Sequence, residues 1–159
     1  MRKNSMTRNW IICLLISLLT LMSCNRRYEP GDYYSKDVSG IVLAADAEGN
    51  AMLLLSLEEA KDIAADSAAL WAETLGDGLW RLPTKEEMAI IKRYKSLINK
   101  TLEYKKQPTV LTGHTFYWTA TPCSESHTYA CGPDGINCYF KTNATPHYRA
   151  RAVKDLKVE

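Results

Sequence analysis

The stretch Gly76-Asp-Gly-Leu-Trp-Arg-Leu-Pro-Thr-Lys-Glu-Glu87 constrains the fold more than any other part of the chain. Two glycines around an aspartate signal a turn. Leu82 is held extended, because a proline at 83 disfavours the helical region for the residue before it. Thr84 is a candidate N-cap with Glu87 three residues on. That is the spacing of a capping box, in which hydroxyl and carboxylate each satisfy a backbone N–H at the helix start. The chain must therefore turn, extend and begin a helix within a few residues, which leaves few ways to place Trp80 and Arg81.

Flanking patterns supply the remaining elements. Met88, Ile91 and Tyr94 continue one helical face from Thr84, and Leu97, Ile98 and Leu102 predict a second short helix, ended by Lys105-Lys-Gln-Pro-Thr109. Upstream, Gly40–Ala45 and Ala51–Ser56 are apolar runs separated by Asp46-Ala-Glu-Gly-Asn50, which predicts a hairpin. Ser56-Leu-Glu-Glu59 also has capping-box spacing, and the helix it predicts carries Leu57, Ala60, Ala64, Ala68 and Trp71 on one face. From Phe116 the grammar is that of strands. Phe116–Thr121 is a β-type run, and His127–Cys131 and Ile136–Phe140 flank the turn signal Gly132-Pro-Asp-Gly135. Tyr148-Arg-Ala-Arg-Ala-Val153 alternates with period two and predicts a half-buried closing strand. A strand pair, then helices, then antiparallel strands describe an α+β fold.

The first 23 residues read as a targeting segment. Arg2, Lys3 and Arg8 precede an apolar run, Ile11–Leu19, that is short for a membrane span. It ends in Leu21-Met-Ser-Cys24, which looks like a bacterial lipobox, with Cys24 as the lipidated residue. Each buried methylene contributes about 0.8 kcal/mol, so two or three acyl chains would hold the protein to a bilayer almost irreversibly. The expected organisation is a signal peptide at 1–23, a tether at 24–39 that leads into a strand, and one domain at 40–159. The expected location is the outer membrane, facing the periplasm or the cell surface. Asn25-Arg-Arg-Tyr28 lacks the acidic run that can flag surface export, which favours the inner face.

Removal of the segment takes three of the 20 lysines and arginines, leaving 17 against 18 acidic residues. With no basic stripe, nucleic acid is not an expected partner. Cys123, Cys131 and Cys138 remain in an exported, oxidising setting, where disulfides persist. Cys123–Cys138 would close a loop worth about 3 kcal/mol in chain entropy, and Cys131–Cys138 would clamp a hairpin. Spacing alone leaves both open.

Three motifs in order, Gly78-Leu-Trp-Arg-Leu-Pro-Thr-Lys-Glu-Glu87, Phe116-Tyr-Trp-Thr-Ala-Thr121 and Tyr148-Arg-Ala-Arg-Ala-Val153, together with the opening Gly40-Ile-Val-Leu43, resemble C-type-lectin-like domains of the Lcl C-terminal kind. That family is common in bacterial surface lipoproteins. The resemblance covers about residues 40–155. It implies two helices packed on a twisted antiparallel sheet, with long loops presenting a binding surface. Trp80, Arg81, Pro83, Thr84 and Trp118 would be its structural signature. The Glu-Pro-Asn or Gln-Pro-Asp and Trp-Asn-Asp motifs of calcium-dependent sugar binders are absent, and a lone Asp134 falls short of the six to eight oxygens that calcium takes.

The remaining chemistry is sparse. His114, His127 and His147 have no compact ligand spacing with each other or with the cysteines, so no metal or other cofactor is expected. No G-x-S-x-G elbow marks a nucleophile, and no catalytic residue is assigned. Trp71, Trp80 and Trp118 sit in apolar patterns and read as core. Tyr129, Asn137, Tyr139, Asn143, His147 and Tyr148 form a polar-aromatic segment suited to adaptable recognition. Asp66-Ser-Ala68 resembles an O-glycosylation sequon of some exported bacterial proteins, with Ser67 the acceptor. The functional expectation is a non-enzymatic, lipid-anchored envelope domain that binds a glycan or protein ligand. The alternative is an accessory structural subunit of a fimbrial or outer-membrane assembly.

Overall fold

The structure is a computed structural model, and it describes residues 26–141 and 147–157. The expected signal peptide, the expected lipidation site Cys24 and the candidate ligand residue Asn143 lie outside the described residues.

Within the described residues the fold is α+β. Strands β1 (Tyr33–Ser35), β2 (Ser39–Ala45), β3 (Ala51–Leu55) and β4 (Ala60–Ile63) precede helix α1 (Ala65–Glu73). Helices α2 (Lys85–Arg93) and α3 (Lys95–Tyr104) follow, then β5 (Tyr117–Pro122), β6 (His127–Gly132), β7 (Gly135–Phe140), β8 (Tyr148–Ala150) and β9 (Val153–Asp155). One sheet has the order β1-β2-β3-β9 and the other β4-β8-β5-β6-β7. All pairings are antiparallel except β5 with β8, which meet in parallel at Tyr117 and Arg149. Part of the stretch expected as a tether is built into the sheet. Tyr34 pairs with Gly40, and both Tyr28 and Tyr34 are buried.

Two apolar clusters, one on each face, explain the uninterrupted hydrophobic runs. Ile41, Leu43, Leu53, Leu55, Tyr117, Cys131 and Val153 join Met88, Ile91, Ile98 and Leu102 of α2 and α3. Their alternating neighbours Val42, Leu54, Trp118, Ala130 and Ala152 join Ala65, Ala68 and Ala72 of α1. Successive strand residues point to opposite faces, so strands covered on both sides read as continuous apolar segments. The small side chains of α1 allow close approach to the sheets.

The Gly76–Glu87 stretch performs as its pattern predicts. Gly76 and Gly78 have φ of +53° and +76°, a region that L side chains rarely adopt. Trp80 and Leu82 enter the first cluster. Thr84 accepts from Glu87 N at 3.1 Å, and Glu87 Oε2 accepts from Thr84 N at 2.8 Å, completing the capping box. Arg81 exchanges backbone hydrogen bonds with Val153 (N to O 2.9 Å, O to N 2.7 Å). Its guanidinium grips both Glu87 oxygens, at 2.7 and 2.8 Å, and donates to Asp155. Lys154, buried, ion-pairs with Asp77 of the turn. The motif is thus a joint between α2 and β9.

Two sequence expectations are corrected. Ser56-Leu-Glu-Glu59 does not begin a helix: Ala60–Ile63 is strand β4, and α1 starts only at Ala65. Ser56 Oγ instead accepts from Ala152 N at 3.0 Å and donates to Glu58 O at 2.8 Å. Glu59 is taken into an ion pair with Arg149 and Arg151. With both capping groups engaged elsewhere, the first turn has no cap. The second correction concerns Tyr148–Val153, which is not one strand. β8 belongs to one sheet and β9 to the other, and buried Arg151 lies between them.

Candidate ligand-binding surface

The C-terminal sheet carries the described recognition candidates, and register divides them between its faces. Thr128 pairs with Tyr139 and Ala130 with Asn137, whereas Tyr129 pairs with Cys138. Tyr139 and Asn137 therefore share one side of the sheet, and Tyr129 and Cys138 the other. Tyr129 is half-buried, with the Lys85 ammonium 5.3 Å from its ring centroid. The five described candidates, though close in sequence, do not make one continuous site.

Four rings gather on the Tyr139 side. Tyr148 lies 4.9 Å from Phe116, 5.0 Å from Trp118 and 5.0 Å from Tyr139, centroid to centroid. Tyr139 stands edge-on to Phe116 and Trp118. Trp118 is fully buried and donates from Nε1 to Ile63 O at 2.7 Å, and Trp80 is buried as well, so both are core as expected. Trp71 is half-buried against the same cluster. Tyr139 and Tyr148 remain half-exposed, the outer rings of a stack whose inner member is Trp118. Burial, and then the hydrogen bond with Tyr139, hold the Tyr148 phenol above its ordinary pKa, so it stays a neutral hydroxyl.

Beside this stack, His147 Nδ1 is 3.4 Å from Asp62 Oδ1. Asp62 has φ of +50° in the irregular part of β4, a conformation that short polar residues tolerate. Sequence reading missed Asp62, because it fell inside the helix expected from Ser56. At the other end of the sheet, Ser124 and Ser126 Oγ lie 3.0 and 2.8 Å from His127 Nδ1 in an exposed turn.

The strand β7 that carries Asn137 and Tyr139 is hydrogen-bonded to β6 and is the last strand of its sheet. The two-residue loop Pro133-Asp134 makes Gly132 and Gly135 the closing pair. Backbone hydrogen-bonding direction alternates from there, so the amides of Ile136 and Cys138 face the edge at which no described strand pairs. Ile136 is an exposed apolar side chain on that edge.

Of the two disulfide pairings that spacing allowed, the structure contains Cys123–Cys138. Cys131 is a free thiol, buried among α2 and β5 residues. Burial raises its pKa, against the opposing pull of Lys92, so it is held as a thiol. Ser67 lies in the first part of α1 and is half-exposed. Among the described residues no group of three or more His, Cys, Asp or Glu could hold a metal ion, and no helix is long and apolar enough to cross a membrane. No protein-family model matches the chain, and no curated protein matches it significantly.

Proposed function

We propose that the chain is a lipid-anchored, C-type-lectin-like domain of the bacterial outer membrane. It would bind a glycan or protein ligand through its C-terminal sheet and catalyse nothing. The anchor rests on Leu21-Met-Ser-Cys24 and the apolar run before it. The lectin-like assignment rests on the ordered Trp-Arg-Leu-Pro-Thr, Tyr-Trp-Thr and Arg-Ala-Arg motifs.

The single observation that carries the binding reading is the group of half-exposed rings and an exposed amide on one face of the sheet that ends in strand β7. Tyr139 and Tyr148 present ring surface backed by a rigid stack, and exposed Asn137 adds an amide on the same side. Rigid rings lose little conformational entropy on binding, and amides adapt their hydrogen bonds. A specific feature of the edge also supports the accessory-subunit reading. The outward amides of β7 and exposed Ile136 offer a template on which a strand from another protein can add.

The test is proteolysis of intact cells carrying the full-length protein, with a lysed control, read by immunoblot. Ligand capture at the surface requires digestion on intact cells. Protection until lysis would remove the adhesive reading and leave a periplasm-facing accessory role, for which envelope-assembly subunits should co-purify.

A further inference from the structure

On the opposite face from the ring stack, α2 and the β5–β6 pair leave an open groove of about 250 Å³. Its floor is apolar, formed by Met88, Ile91, Leu111, Tyr117 and Cys131. All five are buried residues of the second cluster, so the groove is a notch in the core and its walls are held by packing. Cys131 has a free thiol, and the residue is only 6% exposed. Two ammonium groups stand at the rim. Lys92 reaches Gly132 O at 3.4 Å, a long contact, and Lys95 Nζ overhangs Gly113 so closely that a Cβ there would stand 3.2 Å away.

Charge decides what suits this groove. Among the described residues no aspartate or glutamate lines it. Among the described residues neither lysine ion-pairs with a carboxylate, whereas Arg81, Arg149, Arg151 and Lys154 all do. An apolar floor under two uncompensated cations complements a molecule with an apolar body and an anionic end. At about 30 Å³ per water-sized group, the space holds roughly eight such groups, which is one ring with a short chain.

We propose that this groove binds a small amphiphilic carboxylate, its ring on Met88, Ile91 and Tyr117 and its carboxylate between Lys92 and Lys95. The proposal does not depend on the C-terminal sheet surface. Ligand sites of this kind combine a largely apolar lining with a few polar groups that fix orientation. The lysines supply orientation and the floor supplies burial.

The experiment uses the full-length protein in lipid nanodiscs, with empty discs as control. 3-Phenylpropanoate is titrated by calorimetry beside 3-phenylpropanol, which has the same ring without the charge. Saturable binding of the carboxylate is expected, about tenfold tighter than the alcohol, the scale of a charge-assisted hydrogen bond. The Lys92→Gln/Lys95→Gln variant, altered only at the rim, should lose that preference. Bound carboxylate should also shift the Met88 methyl resonance in NMR spectra, since Met88 lines the groove. The proposal is overturned by absent saturable binding, by equal affinity for the alcohol, or by a preference that survives in the variant. An unmoved Met88 methyl resonance at saturation would place the ligand elsewhere. Displacement by inorganic phosphate alone would reduce the site to a plain anion contact.

Discussion

Glu59 has no exposed side-chain surface and three partners: Arg149 at 3.0 Å, Arg151 at 3.2 Å and the Tyr117 hydroxyl at 3.1 Å. Arg151 is equally enclosed. Its remaining N–H groups donate to Ser56 O, Leu57 O, Thr109 O and Thr109 Oγ1, so every branch of the guanidinium is satisfied. Burial lowers the Arg151 pKa and Glu59 opposes that, while an arginine in a protein stays charged in any case. None of this is legible locally. Glu59 and its arginines are separated by 90 and 92 residues, and period-two alternation in Tyr148–Val153 made both arginines look solvated. Removing one partner of a buried pair strands the other charge and costs about 3–5 kcal/mol. Glu59→Gln should lower the unfolding free energy measured in urea by that scale. Arg149→Gln, whose side chain is partly solvated, should cost about 1 kcal/mol. Similar losses in the two variants would show that Arg151 is not left uncompensated.

At the scale of elements, two sequences with the same capping spacing met different fates. Thr84 and Glu87 cap α2, because the groups nearby are their own backbone N–H donors and Arg81 reinforces Glu87. Ser56 and Glu59 do not cap, because Ala152 and the two arginines claim them first. Capping is local and can be read from four residues, but its failure depends on distant partners. The hairpin β2–β3, α2, α3 and the β6–β7 pair were legible for the same reason. Burial raises the Glu87 pKa, but the Arg81 hydrogen bonds, the Thr84 N–H and the Arg81 charge outweigh it, leaving the net value below an ordinary glutamate. A carboxylate with a depressed folded pKa stabilises the fold above its unfolded pKa of about 4.3 and loses that contribution as pH falls through the folded value. Stability should therefore decline from about pH 5 towards pH 3. In Glu87→Gln, which keeps an acceptor for Thr84 N, the curve should start about 1 kcal/mol lower and fall less steeply. Thermal unfolding across that range reads both quantities, and an unchanged acid slope would exclude the Arg81–Glu87 pair as its source.

For the whole molecule, the two sheets share their interior. Val42 and Leu54 of one meet Trp118, Ala130 and Ala150 of the other in the first cluster, and Leu43, Leu55 and Val153 meet Tyr117 and Cys131 in the second. Such shared burial predicts one cooperative unit, since neither sheet keeps a covered face when the other opens. Into this unit Cys123–Cys138 ties the edge strand β7, across 15 residues of chain. Neither the sharing nor the choice of Cys138's partner followed from the sequence. Both depend on register: Cys131 opposes Tyr117 and Ile136 and turns into the helix-covered face. A closed loop of this length restricts the unfolded chain by about 3 kcal/mol. The Cys123→Ser/Cys138→Ser variant should lose about that much, and amide hydrogen exchange tells where. With a shared interior, the slowest amides of β2, β3, β5 and β6 lose protection by equal factors, and β7 loses more because it is bonded on one side only. If β2 and β3 keep their protection while β5–β7 lose theirs, the sheets open separately and the joint formed by Arg81, Val153 and Asp155 does not couple them.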